Sequence, residues 1–256
     1  MTTLSYAVTD SATMLRRNLR RLMRYPAMAV SVLGVPVILL LLFVYVLGGT
    51  LGAGLGHRYI DYLAPGIIVL AATSISVSTA VAVNVDMTEG IMNRFRTMAI
   101  ARTSVLTGHV ASAVIQAVLS AGLVAGVAVL VGFRPTAGPA GWIAAFAVIA
   151  MIAFALTWIS VALGLVAKTP ETASNLPMPL QFLPFLGSTF VPPASMAPGV
   201  RWFAEYQPFT PMIETVRGLL TGTAIGDHAV ITAAWCAGLA LAGYLWARRT
   251  YNRGGR

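Results

Sequence analysis

Six stretches of this chain are apolar and hold no Asp, Glu, Lys or Arg, and that restricts the fold more than any other feature. They run Ala27–Leu47, Tyr62–Val83, Leu106–Val131, Gly141–Val166, Leu176–Val191 and Ala229–Ala247. A helix needs roughly 20 apolar residues to cross a hydrocarbon core. Composition agrees: 57% of the 256 residues are hydrophobic and 10% are charged. Mean hydropathy is +0.80, well above what a soluble domain carries. We therefore expect one all-α polytopic membrane domain over residues 1–256, with six transmembrane helices. The fifth stretch is the shortest and holds Pro177, Pro179 and Pro184. Each proline removes a backbone donor, and the freed carbonyls need other partners. Irregular backbone at membrane depth is tolerated only where protein or a cavity covers it.

The net charge of +9 would suggest nucleic acid in a soluble chain. Here the basic residues flank apolar runs, so they are read as topology and lipid signals and no nucleic-acid partner is expected. With six spans, one side receives Arg16, Arg17, Arg20, Arg21, Arg24, Arg94, Arg96, Arg102, Lys168, Arg248, Arg249, Arg253 and Arg256. The other receives only Arg58, Arg134, Arg201 and Arg217. That imbalance predicts a multi-pass membrane protein with both termini cytoplasmic. No cleavable leader is expected, because the first apolar run follows a basic segment and is long enough to span.

Two amphipathic segments lie between or before the spans. In residues 4–25, Leu4, Val8, Leu15, Leu19 and Leu22 share one helical face. Arg16, Arg17, Arg20, Arg21 and Arg24 gather opposite, as in a helix lying in the membrane interface. A simple anchor and a moving lever both fit this pattern. In residues 84–105, Asp86 can cap a helix start with Glu89 three positions on. Met87, Ile91, Phe95 and Met98 then fall on one face. Such a helix between two spans suits contact with a cytosolic partner, while a surface loop whose arginines only set topology fits as well.

The stretch 192–228 is external by this topology, yet rich in Trp202, Phe203, Tyr206 and Phe209. Thr210-Pro211 reads as an N-cap with proline at the first helical position, leading a helix that ends near Gly222. Two short helices dipping partway into the membrane are expected, with a surface hairpin as the alternative.

Several chemistries are missing. No phosphate-binding G-x-x-x-x-G-K-[ST] motif, no H-E-x-x-H and no G-x-S-x-G is present. No catalytic residue, no metal site and no cofactor are expected in the chain itself. His57, His109 and His228 are scattered, and His109 at the start of the third span reads mainly as a headgroup or packing residue. The lone Cys236 permits no intrachain disulfide. Span cores without ionisable groups count against a proton- or sodium-coupled carrier. Ser112, Gln116 and Ser120 follow at four-residue spacing on the third span, and Gln181 sits among the prolines of the fifth. These four are the candidate pathway residues, with interhelical packing as the other reading. Thr157, Ser160 and Gly164 on the fourth span read mainly as packing.

The run Glu89-Gly90-Ile91-Met92-Asn93-Arg94-Phe95-Arg96-Thr97-Met98-Ala99-Ile100-Ala101-Arg102 resembles the first cytoplasmic loop of ABC-2 type transporter permeases, closest to the daunorubicin/doxorubicin-resistance membrane subunit. A second match comprises Phe190-Val191-Pro192-Pro193, Met196-Ala197-Pro198, Trp202, Gln207-Pro208-Phe209-Thr210-Pro211 and Arg217-Gly218-Leu219-Leu220. It is similar to the re-entrant segment that family carries before its last span, here with Trp202, Pro208, Pro211, Glu214 and Arg217. Ala99 stands where the family often has proline. The resemblance implies a permease that dimerises and binds two separate ATP-binding cassette subunits, which hold the ATP and Mg. It gives Glu89, Gly90, Arg94, Phe95, Arg96 and Arg102 the task of coupling those subunits to the spans. It also implies ATP-driven export, and drug resistance as the setting.

The expectation is therefore the transmembrane subunit of an exporter, not itself an enzyme, moving a lipophilic drug or lipid-like compound. Spans with few aromatics and almost no charge suit an apolar cargo better than a glycan. A polysaccharide or glycolipid exporter of the same superfamily is the first alternative. A non-transporting membrane scaffold or sensor is the second.

Overall fold

In the computed structural model, the structure describes residues 26–51, 58–88 and 104–253. The expected interfacial segment, with Arg16, Arg17, Arg20, Arg21 and Arg24, lies outside the described residues, as does Glu89 to Arg102. Every regular element among the described residues is helical. Helix α1 spans Pro26–Leu41 and continues as a π-helix over Leu42–Val46, followed by a single turn at Gly48–Leu51. Helices α2 (Tyr59–Thr88), α3 (Ser104–Val131) and α4 (Pro139–Val166) follow. Two short helices, α5 (Pro170–Asn175) and α6 (Met178–Phe182), precede a 3-10 turn at Leu183–Leu186. After a 3-10 turn at Pro193–Ser195 come α7 (Pro198–Tyr206), α8 (Phe209–Thr221) and α9 (His228–Arg253).

Among the described residues, four helices are long and apolar enough to cross a membrane: Tyr59–Thr88, Leu106–Val131, Pro139–Val166 and His228–Tyr251. They are longer than their apolar runs. Hydropathy measures the thickness of the hydrocarbon, whereas helical hydrogen bonding continues past it. Thus α2 carries Asp86 in its last turns and α9 carries Arg248 and Arg249. Asp86 consequently caps no helix start; it belongs to the end of α2. The local Asp-x-x-Glu signal yields there to the unbroken helix through Val83 and Met87.

Helix α2 is the centre of the bundle. Its apolar window is 72% buried, against 33% for α3 and 17% for α9. Leu63, Ile67, Ile68 and Val69 form one core with Ala121, Val124, Ile149, Ile152 and Leu156 from α3 and α4. Met212 and Ile213 of α8 close that core. A second cluster at the other end joins Val83, Leu106, Val110, Trp158, Val161, Ala247 and Tyr251. Glycine sets the closest crossings. A Cβ on Gly164 would collide with the Ala80 carbonyl of α2, and one on Gly243 would sit 2.7 Å from the Trp158 carbonyl carbon of α4. Small residues at such points let backbones approach without hydrophobic help from water.

The expected fifth span, 176–191, is not one helix. Pro177 caps α6, Pro179 falls in its first turn and Pro184 opens the 3-10 turn, so the i to i−4 ladder never runs for two full turns. The segment nevertheless travels along α2. Ser174 and Gln181 share a cleft with Ser74, Val77, Ser78 and Val81. Further on, Thr189 packs on Gly66 and the Phe190 carbonyl accepts from Tyr59. The chain thus passes from one end of α2 to the other as broken rather than continuous helix.

Candidate functional site

Broken backbone among apolar helices leaves carbonyls without helical partners, and each must find a donor. Three side chains supply them. The Thr189 hydroxyl donates to the Pro184 carbonyl at 2.6 Å. The Tyr59 hydroxyl donates to the Phe190 carbonyl at 2.8 Å. Arg217 Nη2 donates to the Ser188 carbonyl at 2.5 Å. Aromatic rings fill the apolar side: Phe190 lies 4.2 Å from Phe43 of the π-helix and 5.3 Å from Phe185, centroid to centroid.

Arg217 is the anchor of this arrangement. It projects from α8, is only 5% exposed, and also donates through Nε to the Tyr62 carbonyl at 3.1 Å. Its guanidinium sits 3.8 Å from the centroid of the Tyr62 ring, a cation–π placement. Glu214, one turn earlier on α8, pairs with Nη1. One arginine therefore binds α8, α2 and the broken segment together, using the planar fork that lysine lacks. The sequence marked Arg217 and Glu214 only through the family motif and placed Arg217 as an external charge. Tyr59, Tyr62 and Thr189 went unmarked; the signal available for them was the need of a proline-broken span for donors.

The rest of the marked external segment is arranged around this anchor. Helix α8 begins at Phe209 with Pro208 as its N-cap, two residues before the expected Thr210 cap. Pro208 already has helical dihedrals, and Gln207 supplies the polar contacts, accepting from Phe209 N and donating to the Thr210 hydroxyl, each at 3.4 Å. Pro211 is buried inside the first turn. The helix stops at Gly222, whose φ of 72° is a left-handed cap. On α7, Trp202 is 66% exposed and packs on Tyr206 with ring centroids 5.5 Å apart, an amphipathic face of the kind found at membrane–water boundaries.

Of the four pathway candidates, Ser112 and Gln116 meet each other. The Gln116 amide donates to the Ser112 carbonyl at 3.2 Å and hydroxyl at 3.0 Å, within α3. Ser120 is buried one turn on. Gln181 lies elsewhere, half-buried on the wall of a cleft of about 300 Å³ between α1, α2 and the broken segment. Thr157 and Ser160 are fully buried in the helix packing of α4.

At the opposite end of α2, Asn84 donates through its amide to the Gly164 and Ala167 carbonyls at 3.2 and 2.6 Å, closing the C-terminus of α4. Nearby, Nε2 of His109 lies 3.0 Å from Oδ2 of Asp86, a close polar contact without good hydrogen-bond geometry. These residues bring together the ends of α2 and α3 from which the 89–103 loop departs and to which it returns. Just beyond α4, Thr169 caps α5 by accepting from Thr172 N at 3.2 Å.

Residues 10–221 match the family described as ABC-2 type transporter. The chain is also 30% identical over 219 residues to the daunorubicin resistance ABC transporter permease protein DrrB1 of Streptomyces coeruleorubidus, covering 85% of this chain and 77% of that one. Permeases of this kind have no ATPase site of their own and work with an ATP-binding subunit, in keeping with a helical membrane domain that lacks a nucleotide motif. By its match along most of its length, the chain belongs to the ABC-2 type transporter family, as an integral membrane permease subunit akin to drug-resistance permeases.

Proposed function

We propose that this chain is the transmembrane subunit of an exporter that moves a lipophilic drug or lipid-like compound out of the bacterial cytoplasm. The observation that carries the reading is the continuous family match together with a drug-resistance relative. ATP and Mg are bound by a separate cassette ATPase, present in two copies, and a second permease subunit completes the route. Closure of the ATPase reaches the spans through Glu89, Gly90, Arg94, Phe95, Arg96 and Arg102, and the two states differ in the contacts this loop makes. The Asp86–His109 contact holds the ends of that loop to one place. The chain sits in the inner membrane with both termini in the cytoplasm, and six passages include the broken stretch 170–190. Residues 192–228 form the external re-entrant cap. Gln181 lies beside the route, and Ser112, Gln116 and Ser120 line it from α3.

The test is thiol labelling at position 181. In a Cys236→Ala background, Gln181→Cys in the permease–ATPase complex is expected to react with a small polar maleimide. Its rate should change severalfold when the ATPase is trapped with nucleotide. Labelling that is insensitive to nucleotide, or absent in every state while a position on α4 reacts, would place the route elsewhere.

A further inference from the structure

The cleft beside Gln181 has an unusual hydrogen-bond inventory. A serine hydroxyl has one proton and two lone pairs. Ser74 gives its proton to the Leu70 carbonyl at 3.0 Å, Ser78 to the Ile75 carbonyl at 2.7 Å, and Ser174 to the Glu171 carbonyl at 2.8 Å. All three serines line the cleft, and their hydroxyl hydrogens are already committed. A ligand acceptor could recruit one only by breaking that serine's bond to its own helix. The Gln181 side-chain amide, which makes no hydrogen bond among the described residues, adds a carbonyl acceptor and the only ready donors that the described lining offers. The remaining lining is Val35, Val77 and Val81, and no lining residue is charged among the described residues.

We propose that this cleft binds the hydroxyl-bearing end of an uncharged, lipophilic alcohol or phenol. This rests on the route proposed above and specifies what the site selects. The hydroxyl hydrogen finds acceptors on α2 and α5, Gln181 donates to the ligand oxygen, and the valines hold the hydrocarbon body. A volume of about 300 Å³ suits a fused-ring compound rather than an extended glycan. An ether or ketone of equal shape has no hydrogen to give, so the serine oxygens lose water without gaining a partner. An ammonium ion has hydrogens but meets no carboxylate on the lining that the described residues form, so its charge is stranded there.

The experiment uses the permease–ATPase complex in lipid nanodiscs, with Cys236→Ala and Val77→Cys. Maleimide labelling of position 77 is followed against increasing β-naphthol or its methyl ether, at matched membrane concentrations. The naphthol should slow labelling at a concentration about tenfold lower than the ether, the value of one well-made hydrogen bond. Ser74→Ala with Ser78→Ala should reduce that preference severalfold, with Ser174 and Gln181 remaining as acceptors, and each single substitution should weaken it less, giving a reading even if the double variant assembles poorly. Equal protection by both probes, a preference for the ether, or a preference left unchanged by the double substitution overturns the donor-selective site. Protection by neither probe overturns the site altogether. No nucleotide is needed, so this result is separate from the nucleotide response at position 181, on which the route itself depends.

Discussion

The guanidinium of Arg217 donates to two backbone carbonyls and a carboxylate, and that is why a full charge is tolerated there at 5% exposure. Removing it strands its partners. Arg217→Met leaves the Tyr62 and Ser188 carbonyls without their donor and Glu214 without its counter-charge. Breaking a buried pair from one side costs about 3–5 kcal/mol, and Glu214, 26% exposed, recovers some water, so about 3 kcal/mol is expected. Arg217→Lys keeps the charge but one ammonium cannot reach both carbonyls, and it should lose about half as much. Chemical unfolding in mild detergent measures both; a loss below about 1 kcal/mol for Met would mean that the carbonyls have other donors. This role was hidden in the sequence for a specific reason. The acceptors lie 155 and 29 positions away, and no local pattern announces them. The motif resemblance drew attention to Arg217, whereas its burial follows only from how α8 docks.

Elements are more legible than residues because length and hydropathy are summed over many positions. The apolar runs read as Tyr62–Val83, Leu106–Val131, Gly141–Val166 and Ala229–Ala247 lie within α2, α3, α4 and α9. The proline-bearing fifth run was visible as irregular, but its division into α5, α6 and a 3-10 turn depends on donors that other elements bring. Helix contacts were less visible still, since a glycine in an apolar run reads the same whether it faces lipid or a neighbour. Gly164 and Gly126 differ in this respect. A Cβ on Gly164 would meet the Ala80 backbone, whereas one on Gly126 would meet nothing within 4 Å. Gly164→Ala should push α4 from α2 and destabilise the protein by about 1–3 kcal/mol. Gly126→Ala should be neutral, or stabilising by up to about 1 kcal/mol from helix propensity. Parallel unfolding of the two variants decides it: equal stability would mean that the α2–α4 crossing relaxes freely.

The whole molecule has two ends that its own contacts define. At one, Asp61 accepts from Arg134 N at 3.0 Å, Arg217 reaches the Tyr62 carbonyl, and Ala137 N bonds the Leu220 carbonyl at 3.2 Å. At the other, Asn84 holds the Ala167 carbonyl, Asp86 meets His109, and Tyr251 packs with Val83 and Leu106. Arg58, Arg134 and Arg217 thus belong to one end, and Lys168, Arg248 and Arg249 to the other. On the topology proposed from the basic residues of the sequence, the end holding Asp86 and Lys168 is expected to face the cytoplasm. Reporter fusions after Arg24, Arg102 and Arg253 should therefore read cytoplasmic, and insertions at 52–57 and in the turn 222–227 should read external. The turn is the sensitive position, because it is external only if the broken segment 170–190 carries the chain across. A cytoplasmic reading there would leave the packing of that segment along α2 intact yet remove its passage through the membrane, and with it the place of Gln181 beside a route.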